Sequence, residues 1–273
     1  ARQFAYQIAT EGKSEPNVDP LQRVKLAELV RVAELHVANI TSLEAGTSGQ
    51  PVSLEAATRV EWVSATLEAY RPLLDRLAER LTQGTLPPDV DGADAQILDG
   101  LLRALNPMMM AMSAGSIAGH LATKAFGNYV LPIPRPDDRI LILIDNIKVF
   151  AEEWSLPAED VQLWVCVNEI TTHSVLSVGH VKASFEQLLQ RYIDGFQTDP
   201  RGFEDRFMDL NLGSGDPAEL QLQLQGALSD PENLLGALRS DAQSAVIPNL
   251  EALLAVVVGY VDYVVEKVGR GLL

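Results

Sequence analysis

Residues 163–176, LWVCVNEITTHSVL, decide how the chain is read. Their centre, Asn168-Glu169-Ile170-Thr171-Thr172, has the spacing of H-E-x-x-H with both histidines replaced. In that pattern two imidazoles four residues apart project from one helical face and grip a zinc ion, and the glutamate serves as general base. Here an amide and a hydroxyl stand at the two ligand places, and both are poor zinc ligands beside imidazole. His173 arrives one position late; five residues from Asn168, it lies about 140° around the helix and cannot take its place. It shares a face with Glu169 instead, in the i,i+4 relation of pairs that are usually structural. Spacing alone leaves two readings open: a metal helix without its ligands, or a coincidental N-E-x-x-T. Cys166, between Val165 and Val167, reads as a small buried hydrophobe, because no electropositive setting that would activate a thiol is visible around it.

Outward from this helix, composition narrows the function. Of 273 residues, 47% are apolar and 21% charged, as in an ordinary globular protein with ample core. A formal charge of −16 argues against nucleic acid and against anionic membrane surfaces, which need a basic footprint. A single cysteine excludes an internal disulfide and fits a reducing, cytoplasmic setting. The start, ARQFAYQIATEGKSEP, has no apolar leader segment. The apolar runs 252–261 and 107–119 fall short of the ~20 residues a bilayer requires, so no membrane span is expected.

Residues 1–18 show no sustained period and read as an extended arm; 19–273 read as one mostly helical domain, within which 19–82 could form an N-terminal helical subdomain. Asp19-Pro20 supplies an N-cap and an N1 proline. The apolar stripe Val24, Leu29, Val32, Leu35, Ala38 predicts a helix to about Ile40. Thr58 and Glu61 have capping-box spacing before a second long helix, to about Leu81. The stretches 45–51, 83–94 and 213–217 read as loops, Asn106-Pro107 as a helix restart and Gly127 as a stop. RILILID is the best strand candidate. Short helices are predicted at 147–154, 220–228 and 233–242. Longer ones are predicted at 158–177 and 181–196, and Pro248 opens a final apolar helix. The fold class is mainly α, with a minor strand component.

Five blocks resemble a bacterial zincin-like family whose members carry hydrolase or coenzyme F420 biosynthesis-associated labels. They are TRVEWVSATLEAYRPLL (58–74), FGNYVLPIP (126–134) with the small-residue helix before it, RILILIDN and FAEEWSLP (139–157), VQLWVCVNEITTH (161–173) and LEALLAVVVGYVDYVVEKV (250–268). The resemblance implies a zincin-like helical scaffold. Members that bind metal carry H-E-x-x-H on the central helix and a glutamate before the glycine of an E-G-x-x-D-like stretch. By position the implied ligand places are Asn168, Thr172 and Val258. Glu169 matches the general-base place, and Gly259 and Asp262 match the scaffold. A catalytic zinc needs three protein ligands, and none of these three suits it.

The expectation is therefore a zincin-like protein without metal or cofactor, inactive as a peptidase. It would bind an unidentified protein or small-molecule partner in a cleft lined by Asn168, Thr172, His173 and Val258, with Glu169 vestigial. One alternative is a hydrolase in which Glu169 recruits His173, Thr171 or another helix. The other is a helical assembly protein that uses its long N-terminal helices as an interface.

Overall fold

The computed structural model describes residues 2–43, 52–82, 111–196 and 240–272. The expected loops at 45–51, 83–94 and 213–217, the restart at 106–107, the helix at 220–228 and most of that at 233–242 lie outside them. Helices α1 (Arg2–Ala9), α2 (Pro20–Thr41), α3 (Arg59–Ala69) and α4 (Arg71–Thr82) precede α5, through residues 111–122. Then come α6 (Ile144–Glu153), α7 (Ala158–Ser177), α8 (Gly179–Asp194) and α9 (Asp241–Leu272). The strand component is one parallel pair, β1 (Ser53–Ala56) and β2 (Arg139–Ile142), in register Ser53↔Arg139 to Ala56↔Ile142.

The chain divides into two compact units. The first comprises Ala1–Pro72, Ala111–Leu188 and Asn249–Leu273; the second comprises Leu73–Met110 and Leu189–Pro248. In the first, α7 packs against α2 and α6, and α2 also covers β1. Leu26, Val30, Ala33 and Val37 form the buried stripe of α2. The stripe counted from Val24 is wrong: Val24, Val32 and Leu35 are exposed. Apolar residues lie on more than one face of this helix, so periodicity alone did not choose between them.

Residues 2–9 are helical, not an extended arm. Gly119 of α5 lets α1 approach so closely that a Cβ there would meet Ala5 O and Ile8 Cβ at 2.8 Å. The following stretch docks as well. Glu15 accepts the backbone N–H groups of Arg59 and Val60 at 2.7 and 3.1 Å, covering donors that the first turn of α3 leaves unpaired. Thr58 and Glu61 form the expected capping box. The helix they start ends at Ala69, capped by Tyr70, instead of reaching Leu81, because Pro72 has no N–H to continue the ladder to Glu68 O and its ring crowds that carbonyl.

α9 begins at Asp241, and Pro248 lies within it instead of opening it. In the second unit Ser240 N–H donates to Gln243 Oε1 and Gln243 N–H to Ser240 Oγ, a capping box that sets this start. Arg76 and Arg80 both pair with Asp194 in that unit. By length and composition α9 is long and apolar enough to cross a membrane, unlike the ten-residue run that the sequence alone marks. Its stripe Val257, Val261, Val264 and Val268 is nevertheless part of the first unit's core.

Candidate functional site

The site is built where α7 meets the turn at 127–129. Asn146 of α6 fixes the approach: its amide donates to Ala122 O and Ala125 O at 2.9 and 2.7 Å, while its oxygen accepts from Arg59 Nε at 2.9 Å. Leu143 N–H holds Phe126 O, and the Trp62 indole N–H holds Gly127 O, at 2.8 and 2.9 Å. Every one of these partners is buried or half-buried, so the turn is tied down on several sides.

Glu169 points into this turn. It is 3% exposed, and the Tyr129 N–H donates to its Oε2 and Oε1 at 3.1 and 3.3 Å. A Cβ on residue 127 would lie 2.3 Å from Glu169 Cδ and 2.5 and 2.7 Å from its oxygens, so only glycine leaves room for the carboxyl. Burial pushes the Glu169 carboxyl up to about 7, against the pull of the Tyr129 and Asn128 N–H groups and the positive charge of Arg135.

One turn further, His173 is 2% exposed and bridges two side chains. Its Nδ1 is 2.6 Å from the Tyr129 hydroxyl and its Nε2 is 3.1 Å from Asp138 Oδ1. Burial lowers the His173 pKa, while Asp138 opposes that shift, so the ring is neutral near neutral pH. An ionised Asp138 only accepts, which assigns the proton to Nε2 and leaves Nδ1 to accept from Tyr129 O–H. Tyr129 titrates well above the ordinary phenol range, through burial first and the Glu169 charge second, so it is a donor here and not a nucleophile. Burial, aided by the same charge, pushes Cys166 up to about 12, a value at which a thiol is inert.

The expected site residues therefore part company. Glu169 and His173 meet the same residue, Tyr129, one through its backbone and one through its hydroxyl. Thr172 is buried with its hydroxyl donating to Asn168 O at 2.7 Å, and Thr171 and Ser174 bond back to Val167 O and Ile170 O in the same way. Asn168 is half-buried. Val258 is 42% exposed, beside the buried Val257 on α9. Among the described residues, no three His, Cys, Asp or Glu side chains converge as a metal would need. A hydroxyl committed to its own helix and a general-base carboxyl turned into a backbone cradle do not fit zinc. Trp164, on the same helix, is 48% exposed.

Sequence reading missed Gly127, Tyr129, Arg135 and Asp138 as parts of this site. The available signal was FGNYVLPIPR, where a glycine and an asparagine precede a lone tyrosine and an arginine is set among prolines.

The sequence matches a family described as zincin-like metallopeptidase over residues 1–273. A solved structure, "Crystal structure of a putative hydrolase with a novel fold from Chloroflexus aurantiacus", superposes with a TM-score of 0.59 at 18% identity. The match covers 100% of this chain and 69% of that one, and at this identity it speaks for the fold. No curated protein matches the sequence. With a family match over its whole length and a mainly helical fold shared with that structure, the chain belongs to the zincin-like metallopeptidase family.

Proposed function

We propose that this family member is silent as a metallopeptidase and acts by binding a ligand or partner at the place where relatives would hold zinc. The observation that carries the reading is the orientation of Glu169. Its carboxyl is turned into the Gly127–Tyr129 backbone, and the Thr172 hydroxyl one turn on is spent on Asn168 O. A general base needs a polarised water within hydrogen-bond reach. This carboxyl is instead occupied by main-chain donors. The test is elemental analysis of exhaustively desalted protein together with a peptidase assay, with and without added zinc. Metal well below one ion per chain and background hydrolysis are expected. One tightly held zinc per chain, with hydrolysis that a chelator stops, overturns the reading.

A second reading, a hydrolase using Glu169 with its neighbours as helpers, draws on the Tyr129–His173–Asp138 chain and on the raised Glu169 pKa. Perturbed acids at one place are a feature of active sites as well as of buried structural networks. It requires a metal-independent hydrolysis that disappears in Glu169→Gln.

A further inference from the structure

Among the described residues, every buried side-chain atom without a hydrogen-bond partner belongs to Thr66, Tyr70, Asn128 or Arg135. Native folds satisfy the large majority of such atoms, so their collection around one turn points to a missing partner. Three of the four residues are tied to one place. Thr66 and Tyr70 stand four apart at the end of α3, and Arg135 reaches the same end. The Arg135 Nη2–H is 3.4 Å from Ala65 O, and its guanidinium carbon lies 5.4 Å from the Tyr70 ring centre.

Arg135 is the informative member. It is 6% exposed, although Pro136 and Asp137 after it are exposed, so its side chain alone turns inward. Its Nε and Nη1 have no partner, and among the described residues no carboxylate forms an ion pair with it. Glu169 feels its charge through space but is bonded elsewhere. Burial raises the Tyr70 hydroxyl's pKa; the hydroxyl lies close enough to the guanidinium for its charge and a weak polar contact to lower it, but the two do not reach full hydrogen-bond geometry. A buried guanidinium without a counter-ion is among the costliest arrangements a fold can hold. Water could satisfy the hydroxyls but would not balance the charge.

We propose that Arg135, with the Thr66 and Tyr70 hydroxyls, forms a binding site for a small monoanionic carboxylate ligand. The guanidinium supplies charge and N–H donors, and each hydroxyl can donate one further bond. A single negative charge suits the site because buried Glu169 lies within its field. Entry requires movement of residues 131–138, since the unpartnered atoms are closed to solvent. Pro132, Pro134 and Pro136 have no backbone N–H, and the Ile133 N–H bonds within the stretch, to Leu131 O. The proposal goes beyond the binding reading above and adds a carboxylate site at the end of α3, within the field of Glu169.

The test is thermal unfolding and calorimetric titration of the full chain with acetate and benzoate. Chloride fixes the ionic strength, acetamide and benzamide serve as neutral counterparts, and inorganic phosphate is a separate arm. Saturable stabilisation by the carboxylates, absent with the amides and lost in Arg135→Gln, is expected. Tyr70→Phe and Thr66→Val should each weaken carboxylate binding by about tenfold, because each removes a donor to a charged group. Without ligand these two variants should be at least as stable as the parent, so they carry the test if Arg135→Gln does not fold. An equal response to amides or chloride, affinity unchanged in the hydroxyl variants, no response, or saturation by phosphate alone would each overturn the site. Zinc-dependent hydrolysis by the parent would refute the binding reading instead, whereas a metal-free, inactive chain that ignores carboxylates refutes only this proposal.

Discussion

Replacing Glu169 by glutamine should flatten the pH dependence of stability between about pH 5 and about pH 8. In the folded chain the carboxyl is pushed up from an ordinary 4.5 to about 7, mainly by burial. Between those values the folded state holds a proton that the unfolded state has released, so stability falls as pH rises. The contribution is fully present below about pH 4.5 and is lost as pH passes through about 7. A rise of this size corresponds to about 3 kcal/mol, of which about 2.5 kcal/mol falls between about pH 5 and about pH 8. Glutamine keeps a carbonyl oxygen to accept from Tyr129 N–H and does not titrate. Chemical denaturation of both proteins at a series of pH values should therefore give a difference that moves in the variant's favour as pH rises. At roughly 2–4 °C per kcal/mol for a chain of this size, the relative Tm should shift by about 5–10 °C across that range. Parallel curves for parent and variant would mean that Glu169 is ionised throughout, and that its cradle and Arg135 outweigh burial.

Gly127→Ala should cost about 1–3 kcal/mol in denaturant unfolding, since its Cβ displaces the Glu169 carboxyl; in a Glu169→Ala background the cost should nearly vanish, and additive effects would refute the contact. Tyr129→Phe removes the 2.6 Å bond to His173 and should destabilise by about 1–3 kcal/mol. In the same variant the His173 ring resonances should change, and their staying unmoved in nuclear magnetic resonance spectra would count against the assigned tautomer. The triple change Asn168→His, Thr172→His and Val258→Glu should create a zinc site, with a gain of about 2.7 kcal/mol at about a hundredfold excess over the dissociation constant. A folded triple mutant that gains no stability across a zinc titration would show that the positional match fails, most directly at Val258, whose neighbour Val257 takes the buried face.

Local signals were legible and pairings across long separations were not. The Thr58–Glu61 capping box and the Asp19 N-cap are each written within a few residues, and each forms as read. β1 is only Ser53–Ala56, with two polar residues, and its strand state comes from pairing with β2, more than 80 residues on. The start of α9 was misplaced for a different reason. Pro248 is a conspicuous marker, whereas Ser240 and Gln243 form a capping box that a reader anchored on the proline passes over. α2 shows the limit of periodicity: a helix apolar on two faces does not say which one faces the core.

The site divides along the same line. α7 and its Glu169 could be placed from the sequence, because helix and motif are contiguous. The cradle could not, since nothing near Gly127 announces a carboxyl 42 residues later in the chain. The energetics nevertheless make the pair meaningful together. A helix that only filled a core would gain by an apolar residue at 169, given the cost of burying a carboxyl. Here the fold accepts that cost, keeps a glycine where any Cβ would collide, and brings Trp62 to hold the glycine's carbonyl. It also buries Arg135 within the field of the same carboxyl without pairing the two. The two buried groups lie within each other's field without forming a direct ion pair. That separation connects Glu169 to the proposed carboxylate site: were the Glu169–Arg135 pair formed, the Arg135 charge would be spent on it.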